Sequence, residues 1–177
     1  MKKITCTIIL FLLTAAAVVA QNPCTRTSPL TDQERFVQQE IQSRIDEFIE
    51  AGQAKDLAAE LHYAAPSLTV KLVDGTVLDR MQIEEAMKRD SAWVLAVSDQ
   101  TTVTIQCLEL KGKEAVLVTE QHFVRTVPDR KDGSPHELIT NVTHEETWAY
   151  GKDGWLTQRV KELKQGPTSL DGKLYVE

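Results

Sequence analysis

Histidine and glutamate occur at alternate positions in two predicted strands of the C-terminal half. Glu120 and His122 lie two residues apart in one strand, and His144 and Glu146 lie two apart in the next. Side chains two residues apart on a strand share a face, so each pair sets a carboxylate beside an imidazole. The carboxylate then fixes the tautomer of the imidazole and raises its basicity, which suits general acid–base catalysis. These four residues are the candidate catalytic residues.

The apolar neighbours of these pairs, together with a third strand, predict a pocket. If the faces that carry the pairs form the concave side of one sheet, Glu162 joins the polar groups at the mouth. Apolar residues on the same faces would line the deeper part: Val116, Val118, Val124, Val142, Trp148, Tyr150, Leu156 and Val160. A mainly apolar cavity with a few converging polar groups is typical of a small-molecule site. In the alternative arrangement the opposite faces point inward, and the polar groups contact solvent or a second subunit.

The histidines and glutamates do not form a recognisable metal motif. No local spacing such as His-Glu-x-x-His sets metal ligands on one helix face. The sequence also has no glycine-rich phosphate loop, so we expect neither a metal nor an organic cofactor. Trp93 and Trp148 are candidates for stacking on a planar ligand, although core packing is the commoner role of tryptophan.

Three helices and a small hairpin are predicted before these strands. A capping box at Thr31–Glu34 begins the first helix, and apolar residues recur at helical spacing over 36–49. A short second helix covers about 56–63. A third helix begins after Asp79, which has a glutamine three residues later. Between the second and third helices, Asp74-Gly75 joins two short alternating runs and predicts a hairpin.

Four antiparallel strands are predicted to follow the third helix. They cover about 101–110, 115–127, 138–150 and 155–163, separated by short turns and one charged loop. Helices that come before a run of antiparallel strands predict an α+β fold, with the helices packed on one face of the sheet. A tail over 166–177 carries another turn signal. Its apolar residues could form a short extra hairpin against the domain: Leu170, Leu174 and Tyr175.

The first twenty residues predict a cleaved secretory signal peptide. Lys2 and Lys3 precede an apolar run, and small residues end at Ala20 before a polar, proline-containing segment. The apolar run is shorter than the roughly 20 residues of a membrane span. We therefore expect an exported protein, periplasmic or secreted, without a stable membrane anchor. A linker over 21–30 and a domain over 31–165 would follow the signal.

The mature chain would keep two cysteines and an acidic charge. An oxidising compartment would allow Cys24 and Cys107 to pair. Because Cys107 lies in a strand-like run and Cys24 in the linker, we favour a buried free thiol at Cys107. The full chain has 20 basic and 26 acidic residues and a net charge of −6, which argues against a nucleic-acid partner.

The order of these elements and one closing segment resemble the nuclear transport factor 2-like superfamily, in particular its SnoaL-like bacterial branch. The segment Glu146–Leu156 ends a strand in aromatic residues, turns through Gly151 and Gly154, and continues directly with Trp155 and a leucine. The resemblance covers about 33–165. It implies a cone-shaped, strongly curved, mainly antiparallel sheet with three helices packed on it, and a pocket at the open end. It also implies a homodimer formed through the outer face of the sheet.

The same resemblance places His62 and Tyr63, at the end of the second helix, at the rim of the pocket. The alternative is an amphipathic pair that caps the core with its polar tips in water. No carboxylate matches a catalytic motif of the superfamily residue by residue, so none is carried over. Asp79 is fully explained as a helix N-cap.

Three functions are compatible with these predictions, because one fold hosts many activities. The first is the binding of a small hydrophobic molecule. The second is a cofactor-free isomerase, dehydratase or hydrolase in which His144 or His122 is the base and Glu146 or Glu120 orients it. The third is an assembly module without a working pocket.

Overall fold

A computed structural model of the protein describes residues 28–175. The helices are α1 (Asp32–Gln53), α2 (Leu57–His62) and α3 (Arg80–Trp93). The strands are β1 (Ala64–Lys71), β2 (Val77–Asp79), β3 (Ala96–Val97), β4 (Thr102–Lys111), β5 (Glu114–Pro128), β6 (Pro135–Gly151), β7 (Gly154–Gln165), β8 (Ser169–Leu170) and β9 (Lys173–Leu174). The four predicted long strands correspond to β4–β7. The two-residue strand β3 was not predicted.

Both predicted capping boxes form. The Thr31 hydroxyl accepts a hydrogen bond from the Glu34 amide at 3.2 Å, and the Thr31 amide donates to the Glu34 carboxylate at 2.8 Å. Asp79 and Gln82 make the equivalent pair of bonds at 2.9 and 3.0 Å. These bonds satisfy amides that have no partner within the helix. They fix where α1 and α3 begin, and α3 therefore starts directly at the end of β2.

The strands form one curled, unclosed sheet. Its main order is β2-β1-β7-β6-β5-β3, and β4 also pairs with β5. The pairings β4–β5, β5–β6 and β6–β7 are antiparallel, as predicted, whereas β1 pairs with β7 in parallel. The long strands β5 and β6 pair from Glu114 to Pro128 without a break in register. This ribbon holds most of the residues discussed below.

The main core lies between α1 and one face of the sheet, which we call the helix face. It contains Val37, Ile41, Ile45, Val103, Ile105, Leu108, Ala115, Leu117, Trp148 and Trp155. Each of the larger apolar side chains contributes about 1.5–3 kcal/mol when it is fully buried. The other helices contribute little to the core, since α2 has no buried residue and α3 has only Ile83. Of the three helices, α1 therefore supplies most of the buried residues.

The C-terminal tail forms a short hairpin. Strand β8 pairs with β6 through Leu138 and Leu170, and β9 pairs with β8. Leu170 packs against a second, smaller core cluster that includes Val94 and Val127. Leu174, by contrast, is 69% exposed. The hairpin thus lies against the sheet through its first strand only.

The predicted signal peptide, Cys24 and most of the predicted linker lie outside the described residues. Cys107 is disulfide-bonded, so the interpretation of a buried free thiol is wrong. The physical reason is a bulge in β4. Ile105 pairs with Thr119 but Cys107 pairs with Val118, so Cys107 lies on the face opposite α1. Within 28–175, no helix combines the length and hydropathy needed to span a membrane.

Candidate functional site

The register between β5 and β6 decides which polar residues share the helix face. Leu117 pairs with Glu146, Thr119 with His144, and Gln121 with Val142. Directly paired residues of an antiparallel ladder lie on the same face. Since Leu117 belongs to the core beneath α1, His144, Glu146 and Gln121 face the inside of the curled sheet.

Glu120 and His122 lie on the opposite face, so the predicted convergence of all four catalytic candidates is wrong. His122 pairs with Asn141, and its Nδ1 atom lies 2.8 Å from the Asn141 Oδ1 atom. Glu120 accepts a hydrogen bond from Gln106. Both line a polar groove of about 350 Å³ on that face. The sequence is ambiguous here because β5 buries Val118 and Val124 on the same face as these polar residues, so apolar alternation does not mark the inside.

A buried carboxylate organises the helix face. Glu146 is 5% exposed. It accepts hydrogen bonds from Thr119 Oγ1 at 2.7 Å, Gln121 Nε2 at 3.2 Å and Trp148 Nε1 at 2.8 Å. Both of its oxygens are therefore acceptors, and the carboxylate is held in one orientation. Its contacts make it a positioning group rather than a free base.

Gln121 lies between Glu146 and His144. Its Nε2 atom is 2.8 Å from His144 Nδ1 and also donates to Glu146. Because a carboxylate only accepts, this atom must be the amide NH₂, and His144 Nδ1 must then accept as well. This pattern of hydrogen bonds assigns a neutral imidazole that carries its proton on Nε2. A direct bond between His144 and Glu146 was expected, and the bridging amide was missed.

The surroundings of His144 favour the same neutral form. Burial lowers the pKa of His144, while the negative charges of Glu146 and Glu162 act in the opposite direction. Glu162 is 8% exposed and accepts hydrogen bonds from the Val73 amide and from Gln165 Nε2. The protonated imidazole would also place an N–H against the Gln121 amide.

The interior of the curled sheet holds a cavity with two adjoining lobes. The first, here the histidine lobe, has a volume of about 230 Å³. It is lined by Ile45, Phe48, Glu60, Leu61, Tyr63, Ala64, Leu68, Val70, Ile83, Met87, Val103, Gln121, Phe123, His144, Glu146, Trp148, Thr157 and Val160. Most of these residues are apolar, with His144 and Gln121 among the few polar groups. This matches the composition of small-molecule sites.

The second lobe, here the arginine lobe, has a volume of about 310 Å³. It shares Phe48, Glu60, Met87, Gln121 and Phe123 with the histidine lobe. Its own residues are Ile49, Gly52, Lys55, Asp90, Ser91, Val94, Val97, Arg125, Thr140 and Val142. The shared residues form a junction through which one ligand could occupy both lobes.

The cations of the arginine lobe already have partners. Arg125 donates through Nη1 to both oxygens of Asp90 at 3.2 and 3.1 Å, and through Nη2 to Thr140 at 3.2 Å. Lys55 Nζ donates to the Val94 carbonyl at 2.8 Å. Within 28–175, only the Nε atom of Arg125 is a buried side-chain polar atom without a hydrogen bond.

The predicted ligand-binding residues separate into two groups. Tyr63 and Trp148 line the histidine lobe. The Tyr63 hydroxyl donates to Glu47 at 2.8 Å, and burial together with this bond raises the pKa of Tyr63. His62 is exposed and makes an edge contact with Tyr63, while Trp93 is 39% exposed. Neither His62 nor Trp93 lines either lobe, nor does Glu162.

Sequence reasoning missed Gln121 and Glu60. Glu60 lies on α2 and lines both lobes. Burial raises the pKa of Glu60, and the charges of Asp90 and Asp56 raise it further. Glu60 falls in a six-residue helix without a clear apolar stripe, so its sequence neighbours do not indicate its direction. Among the described residues, no group of three or more histidine, cysteine, aspartate or glutamate side chains could hold a metal ion.

Comparisons with known proteins find similarity by structure alone. No protein-family model matches the sequence, and no curated protein matches it. A candidate scytalone dehydratase from Novosphingobium aromaticivorans is 10% identical, with a TM-score of 0.68 over 84% of this chain and 94% of its own. A candidate dehydratase of the NTF2-like family from Streptomyces avermitilis is 13% identical, with a TM-score of 0.59 over 73% and 96%.

A third similar structure is an NTF2-like superfamily protein from Salmonella enterica serovar Typhimurium. It is 18% identical, with a TM-score of 0.58 over 80% of this chain and 99% of its own. At identities this low, the structural similarity establishes a common architecture only. The chemistry has to be argued from the site. The chain has the fold of the nuclear transport factor 2-like superfamily.

Proposed function

We propose that this protein binds a small hydrophobic molecule inside its curled sheet. The observation that carries the proposal is the two-lobed cavity, whose lining is mainly apolar and whose few polar groups are fixed in place. Gln121 and Glu146 hold each other through a hydrogen bond, and Trp148 closes the network. Such preorganised polar groups in an apolar cavity favour ligand binding because little ordering is left to occur.

Filling the histidine lobe tests this proposal. Val70 lines the lobe, whereas Val77 on the neighbouring strand is 57% exposed and outside it. We expect the uncharged fluorophore N-phenyl-1-naphthylamine to bind the wild type, to bind Val77→Phe equally, and to bind Val70→Phe at least about tenfold more weakly. Fluorescence titration measures all three affinities. Equal binding by the two variants would contradict a site in this lobe.

A second candidate function is a cofactor-free enzyme of the isomerase, dehydratase or hydrolase type. The observation that favours it is the neutral His144 with its proton on Nε2, held by Gln121 at the wall of the cavity. A neutral imidazole can donate through Nε2 to the carbonyl oxygen of a substrate and so stabilise the enolate that forms when hydroxide from the solvent removes a proton from the neighbouring carbon. Two of the structurally similar proteins are candidate dehydratases.

Hydrogen exchange on a small apolar ketone tests the enzymatic alternative. We expect the wild type to accelerate deuterium exchange next to the carbonyl of 1-indanone in D₂O, and His144→Gln to lose the acceleration. Proton NMR follows the exchange. A wild-type rate equal to that of buffer alone would exclude proton abstraction from this class of ketone and leave the binding function in place.

We also propose that the protein is exported and forms a homodimer. The residue pattern of 1–20 supports export, and the disulfide at Cys107 suits an oxidising compartment. The mass of the mature chain after secretion tests cleavage after Ala20. Light scattering tests the dimer, and a monomeric mass at micromolar concentration would contradict it.

A further inference from the structure

An unpaired carboxylate lies where the two lobes meet. Glu60 lines both lobes and is half-buried. Across residues 28–175 its side chain has no hydrogen bond or ion pair, in contrast to Lys55 and Arg125, which have the partners described above. Charged groups withdrawn from water are normally paired, because an unpaired one keeps the cost of its desolvation. Among the charged lining residues, Glu60 is therefore the one whose whole charged group has no partner, whereas Arg125 lacks one only at its Nε atom.

The surroundings of Glu60 favour a positive partner. Burial raises the pKa of Glu60, and the negative charges of Asp90 and Asp56 raise it further. Each of these effects disfavours negative charge at this point. A positive charge placed beside Glu60 would interact favourably with all three carboxylates. A ligand carboxylate at the same point would meet the same repulsion as Glu60 itself.

Two aromatic residues share this junction. Phe48 and Phe123 line both lobes, as Glu60 does. The face of an aromatic ring attracts a cation, and aromatic side chains recur around bound ammonium groups. Gly52 leaves the space that the carboxylate occupies, since an added Cβ atom would lie 2.7 Å from Glu60 Oε1.

We propose that the junction binds the ammonium group of an otherwise apolar amine. Glu60 is the counter-ion, Phe48 and Phe123 contact the charged group, and the apolar body lies in the adjoining lobe. The inference rests on the proposed binding function and names its ligand class. Either lobe alone is near or below the lower end of typical ligand-pocket volumes, which supports a ligand that uses the junction as well.

Three phenylalkyl probes of nearly equal size and different charge test the inference. 4-Phenylbutylamine is cationic at neutral pH, 4-phenylbutan-1-ol is uncharged, and 4-phenylbutyrate is anionic. We expect the wild type to bind the amine about tenfold more tightly than the alcohol, the order of magnitude of one partly desolvated cation–π and ion-pair contact. Titration calorimetry measures each affinity. In Glu60→Gln the amine and the alcohol should bind equally, with the affinity for the alcohol unchanged.

Two further variants separate charge from structure. Glu50→Gln removes one exposed negative charge from α1 outside the cavity and should keep the tenfold preference. Gly52→Ala keeps every charge but forces the Glu60 carboxylate to move, and should reduce the preference. Glu60 accepts no hydrogen bond from the described residues, so Glu60→Gln strands no donor, and its unfolding curve should show no loss of stability relative to the wild type.

The possible results distinguish the inference from the function on which it rests. Equal affinity of the wild type for amine and alcohol would overturn the inference and keep the binding function. If the wild type bound the butyrate more tightly than the amine, the inference would also be overturned, and the ligand's charged group would be assigned to Lys55 or Arg125. Binding of none of the three probes, together with no binding of N-phenyl-1-naphthylamine, would overturn both.

Discussion

Replacing Glu146 by glutamine tests the buried network with almost no change of shape. The two side chains have the same size, so no void forms in the core. A carboxylate offers two acceptor oxygens, whereas an amide offers one acceptor and one donor. In the native protein one oxygen of Glu146 accepts from Thr119 and Gln121, and the other accepts from the Trp148 indole N–H.

The loss of stability depends on which hydrogen bond the substituted glutamine cannot make. The substituted glutamine would keep its oxygen toward Thr119 and Gln121, because two donors meet there. Its NH₂ group would then face the N–H of Trp148, which is 3% exposed. One buried donor left without an acceptor costs about 1–3 kcal/mol. We therefore expect the free energy of unfolding to fall by about 2 kcal/mol, the middle of that range.

Urea unfolding followed by tryptophan fluorescence measures this loss as a shift of the midpoint at constant slope. Glu145→Gln is the matched control, because Glu145 is the neighbouring residue of β6 on the opposite face, where it pairs with Val118 and Lys161. Glu145 is half-buried and lies outside the buried network, so we expect its replacement to change the free energy of unfolding by about 0.5 kcal/mol or less. The reasoning would be refuted if the urea midpoint of Glu146→Gln equalled that of the wild type, or if Glu145→Gln lost as much stability as Glu146→Gln.

Three further predictions concern stability. Burial lowers the pKa of His144, so just below pH 6.5 the imidazole is protonated in the unfolded chain but not in the folded chain. The free energy of unfolding should therefore fall as the pH drops from 6.5. In His144→Gln, this part of the pH profile of urea midpoints should be flatter. The bond to Asp171 at 2.6 Å raises the pKa of His136. Its contribution is therefore complete below pH 6.5 and lost as the pH rises through the folded value, and His136→Asn should remove this loss. Thr31→Ala removes the acceptor of the α1 capping box and should cost about 1 kcal/mol in the same assay, whereas an unchanged midpoint would show that the box is not needed.

Local signals predicted the elements well because local physics determines them. The capping boxes at Thr31 and Asp79 set the starts of α1 and α3, and both form as their spacing predicts. The turn at Asp74-Gly75 needs a residue at positive φ, and Gly75 adopts a φ of +90°. Each of these features involves residues within four positions of one another, so they depend little on the register of the sheet.

The direction of the side chains was predicted less well, because a bulge changes the face on which a strand's residues lie. On β6, alternation from His144 to Trp148 predicted the face correctly. On β7 it did not, since register shifts accompany the pairs Trp148–Thr157 and His144–Glu162. As a result Leu156 pairs with Ala149 on the opposite face, while Val160 lines the cavity.

The same effect explains why the bridging residue of the site was missed while its two ends were found. His144 and Glu146 belong to one uninterrupted stretch of β6, so their spacing alone sets them on one face. Gln121 comes from β5, and the face on which its side chain lies depends on how β5 pairs with β6. The sequence near residue 121 does not specify that register. A site built within one strand can be found by spacing. A site whose central hydrogen bond crosses between strands depends on a register that only the folded sheet defines, and Gln121 Nε2 to His144 Nδ1 is such a bond.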